Sequence, residues 1–155
     1  MIALFMVFSV LSLQFGNFKQ PFIIMMSLPL ALGGIVFGFF FLNMPFSFPA
    51  MIGAISLIGI AVNDAIVMIE TMNDCHREKG MSIADAAAKG SSLRLRPILV
   101  TTLTTVLGLI PLALSDPVWM PLCTSIISGL LVATFVSLLV IPALFNVLTP
   151  QAQKA

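Results

Sequence analysis

Charged residues are scarce in this chain of 155 amino acids, in which seven Lys or Arg and six Asp or Glu together make up 8%. A soluble globular domain carries about 25% charged residues, whereas hydrophobic residues reach 59% here. This composition excludes an ordinary water-soluble domain and indicates a membrane protein. The basic region that opens a secretory signal peptide is also lacking, because Met1 is followed at once by an apolar run.

Sequence motifs for catalysis or metal binding are lacking as well. The two cysteines, Cys75 and Cys123, form no CxxC motif and define no disulfide framework. Cys75 and His76 are adjacent, but no further ligands at zinc spacing accompany them, so they indicate a metal site only weakly. The sequence has no glycine-rich phosphate loop and no nucleophile elbow. We therefore expect no enzyme, no bound metal and no nucleic-acid partner.

Long apolar runs are what the sequence does contain. The hydrocarbon core of a bilayer is about 30 Å thick and requires about 20 apolar residues in a helix. Four runs reach this length: residues 21–42, 49–72, 97–115 and 119–148. A fifth run, residues 1–15, would extend only about 22 Å at the helical rise per residue, which indicates a truncated transmembrane helix. The sequence predicts an all-α membrane bundle of four complete transmembrane helices and one truncated N-terminal helix.

The connection at residues 73–96 differs from the others because it contains most of the charged residues. Ser82 and Asp85 have the spacing of a helix-capping pair. The Ala-rich segment after them favours a short cytoplasmic helix over residues 82–90, ending near Gly90. Pro97 then suits the first position of the next transmembrane helix.

The distribution of positive charge predicts the orientation of the bundle. If the spans alternate in direction, every Lys and Arg falls on one side: Lys19, Arg77, Lys79, Lys89, Arg94, Arg96 and Lys154. The connections on the other side contain only Asp116. Positively charged loops of membrane proteins face the cytoplasm. We therefore expect residues 73–96 and the C-terminal tail, residues 149–155, to be cytoplasmic.

Asn63 and Asp64 lie together in the middle of the second complete span. An ionisable side chain at this depth costs about 2.5–3.5 kcal/mol on insertion scales, and such residues are usually paired, enclosed by protein or functional. Two interpretations stay open: a polar residue that joins helices, or a protonatable site in a path that couples ions to transport. Ser56 lies seven residues before Asn63, on the same helical stripe, and is a possible supporting polar residue.

Hydroxyl groups are concentrated in the next span, at Thr101, Thr104 and Thr105. Such groups bond across helices or carry a chain of water molecules, although a hydrogen bond to their own helix is the common alternative. Arg94 and Arg96 precede this span, and the simplest role of an arginine there is to extend to the lipid phosphates.

Several of these segments resemble one known family. The segments GAISLIGIAVNDAIVMIETMND, LRLRPILVTTLTTVLGLIPLAL and LLVIPALF are similar to the C-terminal membrane portion of resistance-nodulation-division (RND) efflux transporters. By this resemblance, residues 1–15 match the eighth of twelve transmembrane helices, and the four complete spans match the ninth to the twelfth.

The resemblance implies a secondary active transporter of the bacterial inner membrane. It implies a homotrimeric proton antiporter that exports drugs or other amphiphilic compounds in a tripartite pump, with a periplasmic adaptor protein and an outer-membrane channel. The proton is then the coupling ion, and no other cofactor is expected. The remaining partners are the rest of the same subunit and the lipid bilayer.

The resemblance also implies roles for individual residues. In drug exporters of the family, the proton relay uses a lysine on the tenth helix, a threonine on the eleventh and an arginine at its cytoplasmic entrance. These positions fall on Asn63, Thr101 and Arg94. Because Asn63 is uncharged and Asp64 follows it, we expect a variant of the relay in which Asp64 or a partner acid titrates. The alternative is an accessory membrane segment with only a structural role.

Overall fold

The computed structural model describes residues 2–16, 19–77 and 80–148. Within these ranges the chain forms five α-helices and no strand: α1 (Ile2–Phe15), α2 (Lys19–Leu42), α3 (Phe48–Arg77), α4 (Ile83–Ser115) and α5 (Met120–Leu148). The prediction of an all-α bundle is confirmed. The tail at residues 149–155, together with Lys79, lies outside the described residues, so its expected cytoplasmic location stays a prediction.

Four of these helices, α2 to α5, are long and apolar enough to cross a membrane. They contain the four predicted apolar runs except for residue 119, which precedes α5, so the number of complete spans is confirmed. α1 is 14 residues long, which corresponds to about 21 Å and falls short of the hydrocarbon core. At 33 residues, α4 is about 50 Å long and exceeds the core.

Helix α5 packs against α2, α3 and α4 and makes the most extensive contacts with the other helices. Close approach to α3 is possible because the facing residue is glycine. A Cβ atom on Gly53 would lie 2.7 Å from the carbonyl oxygen of Leu122. At the same contact the Ser125 hydroxyl donates a 3.0 Å hydrogen bond to the Ala50 carbonyl, which ties the first turns of the two parallel helices together.

Two clusters of buried apolar side chains form the core. One includes Met68, Met72 and Phe145, which are fully buried where α3 meets the C-terminal half of α5. The other includes Ile35 and Leu57, near the opposite ends of α3 and α5. Both clusters lie on α3, so the helix that carries Asp64 is fixed against α5 on either side of that residue.

The prediction of a short helix at residues 82–90 is wrong about where the helix ends. The capping pair forms as predicted, because the Ser82 hydroxyl accepts a 3.2 Å hydrogen bond from the Asp85 backbone N–H. The helix does not end at Gly90, however, and continues as α4 to Ser115. Gly90 is buried against α3, where a Cβ atom would lie 2.7 Å from Cγ of Met72. Glycine at this position therefore permits helix contact and does not terminate the helix.

Two further expectations for this region are corrected by the same continuity. Pro97 lies inside α4, not at its first position. The segment at residues 73–96 is mostly helical, since α3 extends to Arg77 and α4 begins at Ile83. An internal proline removes one backbone N–H and costs about 3 kcal/mol in a soluble helix. Membrane helices tolerate this cost when neighbouring groups satisfy the freed carbonyl.

Candidate functional site

Helices α3 and α4 are antiparallel neighbours, and each presents a stripe that includes polar residues to the other. On α3 the polar members are Asp64 and Thr71, with Val67 between them, and the three follow the helical repeat at steps of three and four. On α4 the stripe runs in the opposite direction through Arg94 and Thr101. The end of the pair nearer the α3–α4 connection is fixed by a hydrogen bond of 2.6 Å from Arg94 Nε to Thr71 Oγ1.

A cavity of about 210 Å³ lies between the two stripes. Its lining consists of Asn63, Asp64, Val67, Arg94, Pro97, Ile98 and Thr101. The four residues assigned to the proton relay by resemblance, Asn63, Asp64, Arg94 and Thr101, therefore line one cavity although they come from two helices. Their functional roles stay predictions.

The charge of this cavity comes from one acid and one base. Asp64 and Arg94 are both half-buried. Neighbouring helices add little charge to the site, because α5 has no charged residue and the only one in α2 is Lys19 at its first position. The arrangement can therefore change its net charge when Asp64 gains or loses a proton.

Thr101 is the hydroxyl that α4 contributes to the cavity. Its Oγ1 has hydrogen bonds of 3.0 Å to the Pro97 carbonyl and 2.9 Å to the Ile98 carbonyl, both in its own helix. A hydroxyl proton used in this way leaves the oxygen lone pairs able to accept a hydrogen bond from a water molecule or another donor.

The three residues named as a supporting polar face do not line the cavity. Ser56 is exposed and donates a 3.0 Å hydrogen bond to the Ile52 carbonyl. Thr104 is exposed too and lies 2.8 Å from the Val100 carbonyl. Thr105 is half-buried. For Ser56 and Thr104, bonding within their own helix is the arrangement that the structure shows.

Two contacts between residues of this region were not predicted from the sequence. Thr71 bonds to Arg94, and its position seven residues after Asp64 was a signal that could have revealed it. Thr102, not Thr104 or Thr105, is the buried hydroxyl of α4 and lies 2.7 Å from Thr134 Oγ1 of α5. No sequence signal distinguishes Thr102 from its neighbours, because that choice depends on how α4 is rotated against α5.

The described residues contain no group of three or more His, Cys, Asp and Glu side chains that could hold a metal ion. Cys75 and Cys123 are both buried and free. The ring of His76, beside Cys75, has its Nδ1 atom 2.8 Å from the Met81 carbonyl oxygen. This contact links the end of α3 to the segment before α4 and gives the histidine a structural role.

Ionisable side chains that line a cavity between membrane spans are typical of membrane transporters, and the chain has the architecture of that class. Residues 1–149 match the AcrB/AcrD/AcrF family. The chain belongs to this family of RND transporters.

The relatives include a swarming motility protein, a metal resistance protein and a multidrug resistance protein. The chain is 38% identical to the swarming motility protein SwrC of Bacillus subtilis, in an alignment that covers 98% of the chain and 15% of SwrC. It is 36% identical to the cobalt-zinc-cadmium resistance protein CzcA of Cupriavidus metallidurans, over 94% of the chain and 14% of CzcA. It is 35% identical to the multidrug resistance protein MdtC of Erwinia amylovora, over 90% of the chain and 14% of MdtC.

A solved structure shares the same fold. The crystal structure of a heavy metal efflux pump superimposes with a TM-score of 0.83 at 33% identity, over 95% of the chain and 15% of the pump. The chain thus spans about 15% of the length of the relatives that it matches.

Proposed function

We propose that this chain forms the proton-coupling part of an RND efflux transporter in the bacterial inner membrane. The observation that supports this function best is the open cavity between α3 and α4, whose lining includes Asp64, Asn63, Thr101 and Arg94. The proton is the coupling ion, and Asp64 is the group that binds it.

Protonation of Asp64 would neutralise one charge in a region of low polarity, where isolated charge is strongly disfavoured. Two arrangements of α3 and α4 that differ in how well they stabilise the carboxylate would then differ in proton affinity. Moving one proton through a potential of 100 mV provides about 2.3 kcal/mol, which shifts such an equilibrium by more than tenfold. The ion gradient therefore drives the helices between the two arrangements.

The assembled transporter is part of the same proposal. The subunit to which this segment contributes would form a homotrimer and work with a periplasmic adaptor protein and an outer-membrane channel. The charge distribution supports an orientation in which the end of α4 near Lys89 faces the cytoplasm. The alternative is an accessory membrane segment with a structural role only, which would retain export when Asp64 is replaced.

Two substrate classes are supported by the relatives. Export of drugs or other amphiphilic compounds agrees with the similarity to the multidrug resistance protein MdtC. Export of heavy-metal cations is the second candidate, favoured by the similarity to CzcA and by the shared fold with a heavy metal efflux pump. No residue of the cavity described above distinguishes the two classes.

The test replaces the acid in the full-length transporter. We expect Asp64→Asn to lower export at least tenfold at unchanged protein level in the membrane, because the amide cannot exchange a proton. Asp74→Asn is the matched control, since Asp74 is an exposed acid further along the same helix, and it should retain export. Susceptibility to a panel of amphiphilic drugs and of cobalt, zinc and cadmium salts measures export and identifies the substrate class. Full resistance with Asp64→Asn would contradict the proposed role of the acid.

A further inference from the structure

A threonine outside the relay positions holds the arginine of the cavity. Thr71 Oγ1 lies 2.8 Å from the Val67 carbonyl oxygen of its own helix and 2.6 Å from Nε of Arg94. The direction of both hydrogen bonds follows from which groups can donate and which can accept. A carbonyl only accepts and an arginine N–H only donates, so the single hydroxyl proton goes to Val67 and the hydroxyl oxygen accepts from Arg94.

This contact restricts the orientation of a long side chain. The guanidinium group of arginine is planar, and its N–H groups point in fixed directions. Once Nε is bound to Thr71, only rotation of the plane as a whole could redirect the two terminal nitrogens. Those nitrogens carry four further N–H donors, and Arg94 is one of the residues that line the cavity with Asp64.

The position of Thr71 on α3 places it on the side of the helix that carries Asp64. It lies seven residues, or about two helical turns, after Asp64 and therefore on the same side of the helix. Val67, whose carbonyl accepts the Thr71 proton, lies between them and lines the cavity. A movement of α3 relative to α4 would therefore change the Thr71–Arg94 contact and the surroundings of Asp64 together.

We propose that Thr71 is a positioning residue that fixes the guanidinium group of Arg94 at the cavity that contains Asp64, and that proton-coupled export depends on this contact. The inference rests on the proposed function of the cavity. In this role Thr71 acts by orienting Arg94 and does not itself bind the proton.

The experiment measures proton-coupled export by the full-length transporter in inverted membrane vesicles, at matched protein levels. Thr71→Val keeps the shape of the side chain and removes the hydroxyl, and we expect about a tenfold loss of rate, equivalent to a charge-assisted hydrogen bond of about 1.4 kcal/mol. Thr71→Ser keeps the hydroxyl and should retain at least half of the rate. Arg94→Lys removes the Nε donor, so Thr71→Val should cause no further loss in that background.

Each outcome decides between the positioning role and a packing role. The inference is supported if Thr71→Val lowers the export rate and Thr71→Ser retains it. In addition, Thr71→Val should lower the rate no further in the Arg94→Lys background. An unchanged rate in Thr71→Val, or equal losses in the valine and serine variants, overturns it, as does a full added loss in the Arg94→Lys background. Asp64→Asn is measured alongside. If that variant exports normally, the proposed function itself fails, whereas an inactive Asp64→Asn with an active Thr71→Val rejects only the role of Thr71.

Discussion

At the scale of single residues, the hydroxyl groups of α4 show how a local pattern can mislead. Thr101, Thr102 and Thr104 all have a hydrogen bond to a carbonyl of their own helix, between 2.8 and 3.0 Å long. Only Thr102 also reaches a hydroxyl of another helix, at Thr134. The Thr134 hydroxyl lies 2.8 Å from the Leu130 carbonyl, so each member of this pair has an alternative acceptor in its own helix.

The Thr102–Thr134 contact is expected to contribute little to stability. Each hydroxyl that loses its partner can still donate to its own helix, so neither is left unsatisfied when the other is removed. We predict that Thr102→Val and Thr134→Val each lower the free energy of unfolding by about 0.6 kcal/mol, the mean for such contacts in a membrane protein. The free energy of unfolding of the double variant should fall by no more than that of either single variant. Unfolding in mixed detergent micelles measures these values, with Thr104→Val, an exposed position, as the control. Additive losses would show that the two hydroxyls act separately.

At the scale of helices, the positions of the spans were predictable from the sequence because length and apolar composition alone determine them. Three of the predicted runs fall within observed helices, and the fourth, residues 119–148, exceeds α5 by one residue. The continuity of α4 was not predictable, since glycine at position 90 is equally consistent with a helix end and with a close contact between helices. Only the Met72 side chain packed against Gly90 decides between these possibilities.

The residues of the candidate site were also predictable from the sequence only in part. A resemblance at three positions was enough to name Asn63, Thr101 and Arg94, and the cavity includes all three. The partner of Arg94 could not be named from the sequence, because contact between Thr71 and Arg94 requires the relative shift of α3 and α4 along their axes. The packing of Gly90 against Met72 is one of the contacts on which that shift depends.

Glycines of α3 provide a test of helix packing. A Cβ atom on Gly53 would lie 2.7 Å from the Leu122 carbonyl oxygen and 2.8 Å from Cβ of Ser125, whereas one on Gly59 would have no atom within 4 Å. We predict that Gly53→Ala destabilises the bundle by about 1–3 kcal/mol, because α3 and α5 must separate to admit the methyl group. Gly59→Ala, on the same helix, should have almost no effect. Thermal unfolding of the two variants in the same detergent gives the comparison, and equal melting temperatures would contradict the packing described.

At the scale of the whole molecule, Lys and Arg residues from several helices are concentrated at one end of the bundle. The start of α2, the end of α3 and the start of α4 lie at the same end of the bundle, since the Gln20 side chain exchanges hydrogen bonds of 2.8 and 3.0 Å with Asn73 and Arg94 bonds to Thr71. This end carries Lys19, Arg77, Lys89, Arg94 and Arg96. Asp116 follows α4 at the other end.

The orientation that follows from this asymmetry can be measured at the two ends of α4. In the full-length transporter freed of other reactive cysteines, we predict that a membrane-impermeant maleimide labels Val118→Cys in intact spheroplasts. Lys89→Cys should be labelled only after permeabilisation, because loops rich in Lys and Arg stay on the cytoplasmic side. Both positions are exposed in the bundle, and the native Cys75 and Cys123 are buried. The reverse pattern would place the Arg94 end of the cavity on the outer side of the membrane. Protons driven inward would then enter the cavity past Arg94 instead of leaving it there, which would contradict the proposed cytoplasmic position of this end.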